Sequence, residues 1–240
     1  AGNYYPVNSR IFIQDTQKGL QFTVLTDRSH GGSSLKDGSV EIMVHRRLQV
    51  RADFGEALNE TGQFGDGLII RGRHWVVFDT VANSSETHRL LGEQLLLRPV
   101  LAFHRDRRSP SDYNKNYNAV YTAISKALPA NVHLLTLQFI DVNTILLRLE
   151  HQFEKNEDAV LSRPVTVSLD GFFKAFKIES MTELVLGANE DLSNVHRLVW
   201  NTKESTTPKG RRRQRERVKA NQITLNPMEI RTFQVKLSPA

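Results

Sequence analysis

The chain has no cysteine among its 240 residues. That excludes internal disulfides, thiol nucleophiles and cysteine-ligated zinc sites. It also lacks long apolar runs. Leu95-Leu96-Leu97 and Ile145-Leu146-Leu147 fall far short of the roughly 20 residues that cross a bilayer as a helix, so no membrane span is expected. Glycine and proline are too sparse for a collagen-like or low-complexity chain, at 14 and 8 residues. Gly-x-Ser-x-Gly, phosphate-loop, dinucleotide and His-Glu-x-x-His signatures are all missing. Gly31-Gly32-Ser33-Ser34 has no accompanying Lys and is expected to form a tight turn.

What is present is an ordinary globular composition, 39% hydrophobic and 24% charged. The formal charge is +6. Between Lys209 and Lys219, however, seven basic residues face one acid, Glu216. Outside that segment 25 basic residues balance 25 acidic ones. A broad phosphate-binding face is therefore not expected, and no nucleic-acid partner is assigned. The run itself should form an exposed basic loop over 203–221, since clustered like charges cannot be buried unpaired.

Period-two alternation dominates. Leu20/Phe22/Val24, Val40/Ile42/Val44, Leu135/Leu137/Phe139, Val165/Val167/Leu169 and Phe233/Val235/Leu237 each predict a strand with one face on a core. Leu68 to Arg71 and Trp75 to Asp79 add two more. Lys18-Gly19, Asp37-Gly38 and Asp66-Gly67 supply hairpin-type turns. The fold expected is all-β, an antiparallel β-sandwich with at most one short helix, placed over Asn118 to Leu128 before Pro129. The domain reading is a first sandwich region over 1–104, a polar connection over 105–130 and a second sandwich region over 131–240.

Candidate chemistry is thin. His104-Arg105-Asp106 offers two metal-ligand types, but Arg107 and Arg108 would repel a cation. Glu150, Glu154, Glu157 and Asp158 cluster near a strand end and read as a solvated face rather than an acid–nucleophile pair. Two glycosylation sequons, Asn59-Glu60-Thr61 and Asn83-Ser84-Ser85, fall in polar, turn-like stretches. The chain begins at Ala1 with no initiator Met and no signal-like apolar region, as expected of a processed internal fragment or an engineered boundary.

Several segments resemble one known family. Asn3-Tyr4-Tyr5-Pro6-Val7-Asn8, Leu25-Thr26-Asp27-Arg28-Ser29, Gly31-Gly32-Ser33-Ser34-Leu35, Glu41-Ile42-Met43 and His45-Arg46-Arg47-Leu48 resemble the C-terminal region of the class II α-mannosidases, glycoside hydrolase family 38. Arg71-Gly72-Arg73-His74, Val132 to Leu137, Leu147 to Phe153 and Pro227 to Phe233 resemble its lysosomal branch.

The resemblance implies the C-terminal, non-catalytic chain of a retaining, zinc-dependent enzyme that removes terminal α-D-mannose from N-glycan oligosaccharides in a lysosome or vacuole. In that family two catalytic Asp residues and the zinc belong to a companion N-terminal chain of the same precursor. The implied partners are that chain, mannose-containing oligosaccharides and further copies in a homo-oligomer. No catalytic or metal residue is carried onto this chain. One loop is implied to be substrate-adjacent. Relatives carry an acidic stretch ending in Arg-Gly after the Arg-Arg-Leu motif. Here Asp53-Phe54-Gly55 takes its place, with Phe54 at the Arg position. Phe54 then either offers a wall to a sugar face or packs beneath the loop, and Asp53 offers a hydrogen bond to a hydroxyl. Arg46 and Arg47 are expected to hold the strand and loop through ion pairs. The alternative function is a stand-alone carbohydrate-binding module, disfavoured because Trp75 and Trp200 are too few for an aromatic platform.

Overall fold

The computed structural model describes residues 3–48, 59–195 and 221–239. The expected basic loop therefore lies outside the described residues, apart from Asn221. The chain divides into two compact units, Ala1–Leu101 and Ala102–Ala240.

In the first unit, β2 (Arg10–Asp15), β3 (Leu20–Thr26) and β6 (His74–Thr80) form an antiparallel sheet with β3 in the centre. The β2–β3 turn forms because Asp15 Oδ1 accepts from the amides of Gln17 and Lys18 at 3.1 and 3.0 Å, and Gly19 takes a positive φ of 67°. A second sheet runs β1 (Tyr5–Val7), β4 (His30–Ser33), β5 (Glu41–Met43). The glycine motif is thus not a tight turn but the central strand of this sheet. A Cβ on Gly32 would stand 2.6 Å from Val7 Cγ2 and 3.2 Å from Ile11 Cδ1, so only glycine lets the two sheets close up.

Residues 68–73 are not a strand, although the apolar run Leu68-Ile69-Ile70 predicts one. All three side chains are exposed. Strand β3 also departs from the half-buried expectation, because its polar face is covered too. Gln21, Thr23 and Leu25 are buried at 1%, 0% and 1% exposure, and helix α1 (Val81–Leu96) lies against β3 and β6. The sequence shows no apolar stripe for this helix because the residues it buries are Ser84, Ser85 and His88. Thr80 caps it, accepting from the Asn83 amide at 3.3 Å. The His88 ring stacks on Phe12, and the buried face of β3 is closed by a Gln14–Gln21–Thr23 hydrogen-bond chain.

The second unit contains the sheet β10 (Phe176–Leu184), β12 (Ile230–Pro239), β8 (Thr144–His151), β7 (Val132–Asp141), with β9 (Val165–Ser168) paired to β11 (Gln222–Leu225). Phe233 and Val235 lie opposite Leu147 and Ile145. These four join Leu149, Val167, Leu169, Ile223 and Leu225 in one core, as alternation predicts.

The phase of β7 is the exception. Leu135, Leu137 and Phe139 are exposed, while Leu134 packs on the core. A register shift between Leu134 and Thr136 sets Leu137 and Phe139 opposite the core residues Leu147 and Ile145, but on this edge strand they stay exposed.

The helix expected over Asn118 to Leu128 does not form. Ser125 N donates to Phe172 O and Lys174 N to Ala123 O, so this segment pairs with 172–174 and sends Ile124 and Leu128 into the core. Helical structure here is α2 (Pro110–Asn116), which has Ser109 as cap and Pro110 in its first turn. The architecture remains the antiparallel β type expected.

Candidate functional site

The antiparallel pairing of Thr26 with His74 brings together motifs more than 40 residues apart. Just beyond that pair, Asp27 N donates to Arg73 O at 3.3 Å and Arg73 N donates to Asp27 Oδ2 at 3.0 Å. Arg28 grips the same carboxylate from both sides, Nε to Oδ1 and Nη2 to Oδ2 at 3.0 Å each, and reaches Arg71 O at 2.8 Å.

The Arg28 guanidinium, with the Arg73 amide, holds the Asp27 carboxyl down at about 2. Because that pKa is depressed, the clamp's contribution is present above the ordinary Asp range and is lost only as pH falls through about 2. The knot therefore stays charged in a mildly acidic compartment. On its other side His30 Nδ1 lies 3.1 Å from Met43 O, and His74 Nε2 lies 3.5 Å from His30 Nε2.

Of the residues expected near substrate, Asp53, Phe54 and Gly55 lie outside the described residues. Arg46 and Arg47 sit in the exposed, non-strand stretch 44–47. Arg47 Nε donates to Asn59 Oδ1 at 2.8 Å, a hydrogen bond between described residues on either side of the stretch 49–58. Asn59, Glu60 and Thr61 are all exposed. Asn83 is not in a turn. It is exposed on the first turn of α1, while Ser84 and Ser85 of its sequon are buried.

The remaining acidic groups are occupied by architecture. Both Asp106 oxygens accept from Arg108, Nε to Oδ1 and Nη2 to Oδ2 at 2.9 Å, and the guanidinium lies 4.5 Å above the Tyr117 ring. A carboxylate held on both oxygens by a cation does not fit a metal ligand. Asp158 Oδ1 accepts from the amides of Val160 and Leu161, and Glu157 from that of Glu154. Glu150 pairs with His133 at 2.6 Å. Three of the four clustered acids, Glu150, Glu157 and Asp158, are thus engaged in ion pairing or turns. Sequence reading missed the His30–His74 pair, because the two residues, 44 positions apart, lie on strands of different sheets that only folding brings side by side.

Two family models match the chain: the glycosyl hydrolases family 38 C-terminal domain over residues 2–52 and the family 38 C-terminal beta sandwich domain over residues 131–233. A lysosomal alpha-mannosidase of Mus musculus is 45% identical over 239 residues, and that of Homo sapiens 44% over 236. Each alignment covers 97% of this chain and 23% of the relative. A probable alpha-mannosidase of Arabidopsis thaliana is 38% identical over 254 residues, covering 99% of this chain and 24% of the relative. The chain thus spans about a quarter of the length of these relatives. It belongs to glycoside hydrolase family 38, the class II α-mannosidases, as a C-terminal β region.

Proposed function

We propose that this chain is the non-catalytic C-terminal part of a retaining, zinc-dependent α-mannosidase that hydrolyses terminal α-D-mannose from N-glycan oligosaccharides. The observation that carries the reading is the alignment of almost the whole chain with one quarter of the lysosomal alpha-mannosidases. Asp106, Glu150, Glu157 and Asp158 support it, because each serves a turn or an ion pair within the β framework. The zinc of the proposed enzyme belongs to the companion N-terminal chain. The donor set around Asp106 does not fit it, and no step through zinc is assigned to residues of this chain.

What the chain supplies in this reading is a rigid frame and one loop. Strand β5 leads through Arg46 and Arg47 toward 53–55, and Arg47 fastens that region to Asn59. Loops carried on β scaffolds commonly contribute contacts to a neighbouring site. Phe54 serves as an apolar wall for a sugar face and Asp53 as a hydroxyl partner. The proposed compartment is lysosomal or vacuolar, in keeping with the names of the animal relatives. Further proposed partners are mannose-containing oligosaccharides and other copies in a homo-oligomer.

The test has two parts. Native protein, run on a denaturing gel with mass spectrometry, is expected to contain a second, larger chain bearing a zinc motif. The refolded 240-residue chain alone is expected not to turn over an aryl α-mannoside. Activity of the isolated chain would refute the non-catalytic role.

A further inference from the structure

The Asp27 clamp gives no account of His30 and His74. His30 stands at the start of β4 with its Nδ1 at 3.1 Å from the Met43 carbonyl. A carbonyl only accepts, so the ring proton sits on Nδ1 and the Nε2 lone pair is free to bind. His74 stands at the start of β6, exposed, with its Nε2 at 3.5 Å from His30 Nε2 and the two rings steeply inclined, at 74°.

As a hydrogen bond this contact is at the long limit, well beyond the ~3.0 Å usual for a nitrogen donor. As a chelate it has a suitable length. Two imidazole nitrogens bound tetrahedrally to one ion at about 2.0–2.1 Å lie about 3.4 Å apart. The Nδ1-to-carbonyl bond of His30 is also the outer-shell support that metal-binding histidines use to fix tautomer and orientation. Local charge permits a cation there. The Asp27 carboxylate interacts with His30, and the nearby Arg28 is already committed to that carboxylate and to Arg71 O. The Met43 carbonyl holds the His30 ring and the folded backbone keeps His74 beside it, so the second ligand binds at high effective concentration.

We propose that His30 and His74 form a two-imidazole site for a divalent transition-metal ion of the zinc, nickel or copper class. Solvent would complete the coordination on the exposed His74 side. Imidazole nitrogen suits these metals rather than magnesium or calcium. The inference rests on unit-one geometry alone and is independent of the proposed mannosidase role.

The full 240-residue chain, stripped with chelator, is titrated with Zn²⁺ by calorimetry. One equivalent is expected to bind. His30→Gln and His74→Gln should each weaken binding at least tenfold, whereas His104→Gln leaves it unchanged. Should a variant fold poorly, the wild-type chain decides: Zn²⁺ should protect His30 and His74, but not His104, from diethylpyrocarbonate, read residue by residue by mass spectrometry. No binding at 100-fold molar excess of Zn²⁺ overturns the proposal. So does binding that survives in both folded variants, or equal modification of the two rings with and without the ion.

Discussion

Arg231 is the place where the second unit can be tested most sharply. It stands on β12 opposite Leu149 of β8, and its side chain is 3% exposed. Its guanidinium donates to Glu183 Oε1 at 2.9 Å and Oε2 at 2.6 Å, and to Thr224 O at 3.0 Å. Its carbon lies 5.4 Å from the centre of the Phe233 ring. One side chain thus joins the four-stranded sheet, through Glu183, to the β9–β11 pair, through Thr224.

In Arg231→Met the apolar stem is largely kept, but Glu183, with a side chain only 14% exposed, loses both of its bonds to this guanidinium, and Thr224 O loses a donor. Breaking one partner of a buried pair costs about 3–5 kcal/mol. For a unit of this size that lowers Tm by roughly 10–20 °C. The double variant Arg231→Met/Glu183→Leu should recover much of the loss, because the half-buried carboxylate that faced the guanidinium is then removed as well. Thermal unfolding by circular dichroism, with hydrogen exchange of β12 peptides, gives both values. A loss below about 1 kcal/mol in the single variant, the range of an exposed pair, would refute the reasoning. A double variant less stable than the single one would do the same.

Gly32→Ala should destabilise the first unit by about 1–3 kcal/mol, since its Cβ would meet Val7 and Ile11 inside contact distance; urea unfolding measures this. Phe54→Ala is expected to lower kcat/KM of the assembled enzyme about tenfold, on the order of 1.4 kcal/mol, with zinc content unchanged. Normal kinetics with a much lower melting point would instead make Phe54 a core residue. Peptide mapping of native material should find an N-glycan on Asn59 in preference to Asn83, because the whole first sequon is exposed whereas Ser84 and Ser85 are buried. Finding both asparagines bare would count against a secretory route.

Alternation by itself determined the strands of the second core. Phe233, Val235 and Leu237 on β12 and Val165 and Val167 on β9 follow the predicted period, because a strand's side chains alternate whatever the topology. Local turn chemistry was equally legible at Lys18-Gly19, where a carboxylate and a positive-φ glycine act within five residues. The family, too, was readable from short motifs.

Tertiary structure decided what local pattern does not carry. The α1 helix buries serines and a histidine, so no apolar stripe marks it. The alanine-spaced segment before Pro129 runs extended because it finds backbone partners at 172–174. In β7 a register shift sets Leu137 and Phe139 opposite the core residues Leu147 and Ile145, yet at the edge of the sheet they remain exposed. The Asp27 clamp, the Arg47–Asn59 bond and the His30–His74 pair depend on chain segments that only folding brings side by side. Their residue types are visible in the sequence, but the distances that give them chemistry are set by strand register and sheet packing.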